Sequence, residues 1–168
     1  FYFDIRKDAL YCDNLNSEKR KSCITILNIL LDCLLKWFAP ILSFTTEEIY
    51  SLLNKNNNDS IHFKKFIKIP KNWQNKNLNE KWEKLKKIRD VANISIESKR
   101  TDKLIGSSLE SNIKIKLNKD LYNIAKDFDF AELCITSAAE VLNDNNLAEE
   151  IIVETSKAEG EKCNVCWK

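Results

Sequence analysis

The stretch that decides the fold is SCITILNILLDCLLKWFAPILSFTTEEIYSLL, Ser22 to Leu53. From Ser22 to Phe38, the residues Ile24, Leu27, Leu31, Leu34, Leu35 and Phe38 recur every three or four positions, and Ile26, Ile29 and Leu30 widen the stripe over much of the surface. This spacing predicts a long, deeply buried helix. Pro40 ends or kinks it, because proline lacks an amide hydrogen and drives the preceding residue out of the α region. A second helix starts at once: Thr45 or Thr46 can cap it, Glu47 and Glu48 fall in its first turn, and Ile49, Leu52 and Leu53 face back to the core.

Working outward, Phe1, Ile5 and Ala9 share one helical face, so Phe1 to Asp13 reads as the tail of a helix that begins upstream. Asn14 to Ser17 supplies N-cap residues, with Glu18 in the first turn of the long helix, where a carboxylate meets the positive end of the dipole. On the other side, Asn54 to Ser60 is a polar loop, and Ile61 to Ile69, which stops at Pro70, reads as a short strand or extended segment. Leu78, Trp82, Leu85, Ile88, Ala92 and Ile96 then mark a second long amphipathic helix running to about Thr101.

Gly106 stops that helix, and the character of the chain changes. Ile113, Ile115 and Leu117 alternate with Lys114 and Lys116 as in a half-buried strand. A short helix over Lys119 to Phe128, a mixed segment from Phe130 to Leu142 and a strand at Ile151 to Glu154 complete a small α/β pattern. The expected fold is therefore mainly α, with a helical bundle over 1–105 and a small α/β element over 106–168. No internal repeat is visible.

Composition agrees. The chain has 168 residues, 43% hydrophobic and 31% charged, which suits a globular protein of ordinary size and excludes a disordered chain. Two glycines and two prolines leave little material for hairpins or phosphate-cradling loops, which disfavours an all-β sandwich and a dinucleotide-binding fold. No methionine occurs, so we read the chain as an internal piece of a longer polypeptide. A net charge of +2 does not by itself announce a nucleic-acid partner. The lysine-heavy basic set, with only Arg6, Arg20, Arg89 and Arg100 as arginines, records AT-rich coding more plausibly than surface function. Scattered cysteines without a signal peptide point to a reduced, cytoplasmic protein. The apolar run Ile29 to Leu42 is broken by Asp32 and Lys36 and falls short of the roughly 18 residues of a membrane span, so no membrane association is expected.

Three constellations bear on chemistry. Cys163 and Cys166, in CNVCWK, are spaced to share one zinc ion in a knuckle, although a structural zinc takes four ligands, and two ordinary thiols fit the pattern equally. In IESKRTDKLIGSSLES, Ile96 to Ser111, cations at a helix end stand beside hydroxyls and amides that could hold a phosphate, but the same cations would also simply offset a helix dipole. Aromatic rings alternate with cations at Trp37, Trp73 and Trp82; Trp82 fits the apolar stripe of its helix, and Trp73, in a loop beside Lys71, is the best candidate to stack an unpaired base. His62 is the only histidine and stands without a nucleophile or metal-spaced partner, phosphate-loop and dinucleotide motifs are missing, and the adjacent Glu47 and Glu48 look like solvated surface. These residues are expected to perform no covalent chemistry.

Several strings together resemble one family, the bacterial isoleucyl-tRNA synthetases of class I, in their C-terminal part. YFDIRKDALYCD at Tyr2 to Asp13 resembles the entry into that family's anticodon-binding domain, and WFAPILSFTTEEIY at Trp37 to Tyr50 its helix-break-helix. KLIGSSLE at Lys103 to Glu110 is similar to its K-x-I-G-x-S-L-E junction, and AEGEKCNVCWK at Ala158 to Lys168 to the first half of its zinc knuckle. The resemblance implies a helical bundle that holds the anticodon stem-loop of an isoleucine-specific tRNA within a monomeric, cytoplasmic ligase. It also implies zinc at Cys163 and Cys166 once a second cysteine pair is present, and ATP and magnesium bound by a catalytic domain whose signatures are missing here. In that context Arg89, Lys99, Arg100 and Lys103 become candidate contacts to the tRNA backbone and Trp73 a stacking candidate. The equivalent region of a valyl, leucyl or methionyl enzyme, and a helical scaffold that binds only protein, are the competing readings. Salt-dependent tRNA binding separates RNA from protein partners.

Overall fold

The computed structural model describes residues 1–55, 59–147 and 150–164. The chain divides into two compact units, Phe1–Asp8 with Asn75–Lys168, and Ala9–Gln74. The change of character at Gly106 thus falls inside the larger unit, because the second long helix packs on the sheet that follows it.

In the larger unit, α1 (Tyr2–Ile5) is followed, after Arg6, by the start of α2 (Lys7–Tyr11), two short turns where one continuous helix tail was expected. Helix α5 (Lys76–Thr101) opens with the Asn75 side chain accepting from the Leu78 amide at 3.0 Å. Its residues Leu85, Ile88, Ala92 and Ile96, spaced three and four apart, are buried as the periodicity predicted. Burial of each Leu or Ile contributes about 1.5–3 kcal/mol.

They pack in one cluster with Ile113, Ile115 and Leu117 of β1 (Ser111–Leu117), whose intervening lysines face away from it. β1 is the central strand, parallel to β2 (Ala138–Asn143) and antiparallel to β3 (Ile151–Lys157). Two helices, α6 (Lys119–Ala125) and α7 (Phe130–Cys134), make the crossover from β1 to β2. The expected helix ends three residues earlier than read, and the mixed segment resolves into α7 and β2. Ser95 Oγ joins α5 to β3, lying 2.7 Å from Thr155 Oγ1 and donating to the Val153 carbonyl at 3.1 Å. The far face of the sheet is charged: Lys114 pairs with Glu140 at 3.8 Å, and Lys116 with Glu154.

The smaller unit is built on α3 (Glu18–Phe38) and α4 (Ser43–Leu53). Ser17 caps α3 by accepting from the Arg20 amide, and the helix stops just before Pro40. Leu42, not a threonine, stands at the N-cap of α4; the buried Thr46 lies inside the helix, its hydroxyl bonded to the Leu42 carbonyl at 2.9 Å. Leu35, Ala39, Tyr50 and Ile61 form the core, with Leu31 against it.

The segment Ile61 to Ile69 forms no strand; it opens in a turn and leaves it in extended backbone at Lys64. The Glu47 carboxylate accepts from Ser60 Oγ at 2.8 Å and from the Ile61 amide at 3.0 Å, which draws the chain into a 3-10 turn at Ile61–Phe63. Ile61 is buried there, whereas Phe63, Phe66 and Ile69 stay exposed. Glu47 is therefore a structural ligand of that turn, not a solvated carboxylate. Among the described residues no helix is long and apolar enough to cross a membrane.

Candidate nucleic-acid interface

The end of α5 is built by a Schellman motif. The Lys103 amide donates to the Arg100 carbonyl and the Leu104 amide to the Lys99 carbonyl, both at 3.0 Å, with Lys103 left-handed at φ 58°. Glycine is the usual residue in this position, since a Cβ is disfavoured there. A lysine instead places its side chain at the turn itself. Lys103 and Arg100 are exposed and Lys99 half-buried, so the three predicted cations meet at one helix end.

Beyond the turn, the Gly106 amide donates to Glu110 Oε2 at 2.9 Å, and a Cβ at position 106 would stand 3.3 Å from Glu110 Oε1. The K-L-I-G-S-S-L-E string is thus a folded device: the lysine closes the helix, the glycine amide meets the glutamate, and the 3-10 turn Ser108–Glu110 leads into β1. Of the amides in this stretch, those of Lys103, Leu104, Gly106 and Glu110 are committed within the turn.

An open depression of about 600 Å³ lies here, lined by Arg100, Lys103 and Glu110, and by Lys157 from the end of β3. Lys157 escaped the sequence reading; only the β1–β3 register, which sets Ser111 opposite Lys157, brings it in. Arg100 donates to Glu97 at 2.7 Å, an exposed pair one turn apart that side-chain entropy and screening make weak.

The other candidates lie elsewhere. Arg89 is half-buried: its Nε donates to the Leu133 carbonyl at 2.8 Å and its guanidinium lies 5.1 Å from the Phe1 ring, so it braces α5 against α7 rather than pointing out beside Arg100. Trp73 is 56% exposed, in a 3-10 turn of the smaller unit. Trp82 packs edge-on between Phe1 and Phe128, at centroid distances of 6.0 and 5.8 Å, as expected of a core residue.

Cys163 is exposed and Cys166 lies outside the described residues. Among the described residues no three metal-capable side chains come together, so those described do not make up a zinc site.

A profile of the family described as "Anticodon-binding domain of tRNA ligase" matches residues 1–117, from the N-terminal turns through the long helix and its capped end to the central strand. The chain belongs to this family of anticodon-binding domains. The match ends with β1, so the remainder of the sheet lies outside it.

Full-length similarity agrees. The chain is 61% identical over 168 residues to the isoleucine–tRNA ligase of Pelagibacter ubique. It is 42% identical over 177 aligned residues to that of Agrobacterium fabrum and 36% over 168 to that of Gluconobacter oxydans. Each alignment covers all of this anticodon-binding chain but only 17–18% of the relative.

Proposed function

We propose that this chain is the tRNA-holding part of an isoleucine–tRNA ligase, gripping the anticodon stem-loop of an isoleucine-specific tRNA. The observation that carries the proposal is the capped end of α5, where Arg100 and Lys103 line an open depression beside Lys157, with Lys99 in the same last turn. Exposed cations on a rigid helix end neutralise phosphates without paying to bury charge, which suits backbone contact. Trp73 is an exposed ring available to an unpaired base, and Arg89 keeps the basic helix seated on its own unit.

Within this proposal the chain contributes binding, and bond formation with ATP and magnesium belongs to catalytic sequence that these residues do not supply. Zinc would take the Cys163–Cys166 pair together with further ligands, in a monomeric, cytoplasmic enzyme. Four motifs in one order and the isoleucine–tRNA ligase relatives favour the isoleucyl enzyme over its valyl, leucyl and methionyl counterparts.

The test is tRNA binding as a function of salt. Replacing Lys99 or Lys103 by alanine should weaken binding and flatten log K against log[salt] by about 0.7–0.9 per lost phosphate contact. Unchanged affinities and slopes in both variants would overturn the assignment.

A further inference from the structure

The segment that leaves the 61–63 turn has a geometry and a charge that neither the core of the smaller unit nor the basic end of α5 explains. Lys64 stands at φ −85° and ψ 139°, and Pro70 at φ −61° and ψ 131°. Both lie close to polyproline II, in which three residues complete a turn and every third side chain returns to one edge. Burial follows that period. Ile61 is buried and Lys64 and Ile67 are half-buried, so their edge faces the protein. Phe63, Phe66 and Ile69 are exposed along a second edge, and Lys65, Lys68 and Lys71 along a third.

The lysine edge is unanswered. No aspartate or glutamate occurs from Ser60 to Gln74, a run that holds Lys64, Lys65, Lys68 and Lys71. Lys64 is paired with Asp59, just outside the run; among the described residues the other three have no acidic partner. Elsewhere lysines find such partners, as Lys86 does in Glu83 and Lys114 in Glu140. AT-rich coding accounts for the lysines but not for the missing carboxylates.

The result is a local excess of positive charge on side chains that stay in water, about 9 Å apart at every third residue of polyproline II. Such a row attracts a polyanion and neutralises it without burying charge. Ammonium groups on flexible stems are point charges, so contacts of this kind hold a nucleic acid without reading its bases. The apolar edge alongside would also suit an anionic bilayer, but the backbone of residues 65–69 lies outside any helix or sheet, and hydrocarbon does not accept backbone of that kind.

We propose that Lys65, Lys68 and Lys71 form a phosphate track that captures RNA by its sugar-phosphate backbone irrespective of sequence, speeding encounter with tRNA rather than selecting among tRNAs. The inference rests on the tRNA-binding reading above and adds a tether indifferent to the anticodon.

The experiment measures association rates and affinities of the full chain over a salt series, for an isoleucine tRNA transcript, a noncognate tRNA transcript and an RNA hairpin unrelated to tRNA. A variant combining Lys65→Gln, Lys68→Gln and Lys71→Gln is compared with one combining the three arginine replacements and with Lys68→Glu alone, with circular dichroism and urea unfolding confirming that each folds. The glutamine variant should flatten log K against log[salt] by about 2–3 for every RNA. It should also slow association at low salt about tenfold, with the ratio of isoleucine to noncognate affinity unchanged. Lys68→Glu should show the same uniform loss to a lesser degree, and the arginine variant, which keeps the charge, should match the wild type. Wild-type slopes and rates in the glutamine variant, or a loss confined to isoleucine tRNA, would overturn the track while leaving tRNA binding in place. So would lysine-dependent binding to phosphatidylglycerol vesicles with RNA binding intact. Absence of salt-dependent tRNA binding in the wild type would instead remove the broader reading, and the track with it.

Discussion

The Glu110 carboxylate holds the Gly106 amide at 2.9 Å, one turn beyond the last residues of α5, and by doing so places a negative charge inside the same depression that Arg100, Lys103 and Lys157 line. One residue therefore serves the turn and opposes the proposed ligand. Glu110→Ala should act in opposite directions on the two properties. Loss of an exposed, charge-assisted hydrogen bond should cost about 1 kcal/mol in urea unfolding. Removal of the anion should raise tRNA affinity at low salt by twofold or more, and high salt should erase the gain. Parallel losses of stability and affinity would show that the turn geometry, not its charge, governs binding.

Lys103 presents the reverse conflict. Its φ of 58° is a conformation glycine adopts freely and lysine does not, so the turn carries a local strain that a glycine would relieve. Lys103→Gly should stabilise the protein by about 1 kcal/mol and still weaken tRNA binding. Lys103→Ala should lose affinity without gaining stability. A glycine variant that binds tRNA as tightly as the wild type would remove Lys103 from the interface.

Arg6 joins the N-terminal turns to α7 through Glu132, at 2.8 Å, with side chains only 26% and 15% exposed. Such a pair lies between the weak surface case and the costly buried one. Arg6→Ala should destabilise by about 1–2 kcal/mol and should speed hydrogen exchange at the Ile5 and Arg6 amides, which bond to the Phe1 and Tyr2 carbonyls. Unaltered exchange would mean that the Ile5 and Phe1 contacts hold the segment without the ion pair.

Local signals carried much of this architecture. Leu85, Ile88, Ala92 and Ile96 announce the buried face of α5, Ser17 and Glu18 announce the start of α3, and Ile113, Ile115 and Leu117 announce the inner face of β1, because periodicity and capping are properties of near neighbours. What depends on distant partners was silent. Ile61 to Ile69 has a strand's composition, yet Glu47 captures the Ser60 hydroxyl and turns the chain before any strand pairing can form. Arg89 shares a helix with Arg100, but its Nε belongs to a carbonyl 44 residues away. Lys157 reaches the depression only through the antiparallel register.

Cys134 gives a pH dependence with a definite sign. Burial pushes its thiol from an ordinary 9.0 up to about 12, with the nearby Arg89 pulling weakly the other way. An unfolded Cys134 releases its proton near pH 9 while the folded thiol keeps it. Above pH 9 the native state thus binds more protons than the unfolded state, and stability falls as pH rises toward 12, by up to about 1.4 kcal/mol per pH unit; below pH 9 this group contributes no slope. The other titrating groups are common to the wild type and Cys134→Ala, which lacks the thiol. The stability advantage of the wild type over this variant, measured by urea unfolding, should accordingly be constant from pH 7 to 8 and shrink between pH 9 and 10. Iodoacetamide at pH 9 should modify the exposed Cys12 and spare Cys134. A gap that stays constant through pH 10, or alkylation of Cys134 in the folded protein, would show that the thiol is not buried in the core of the larger unit.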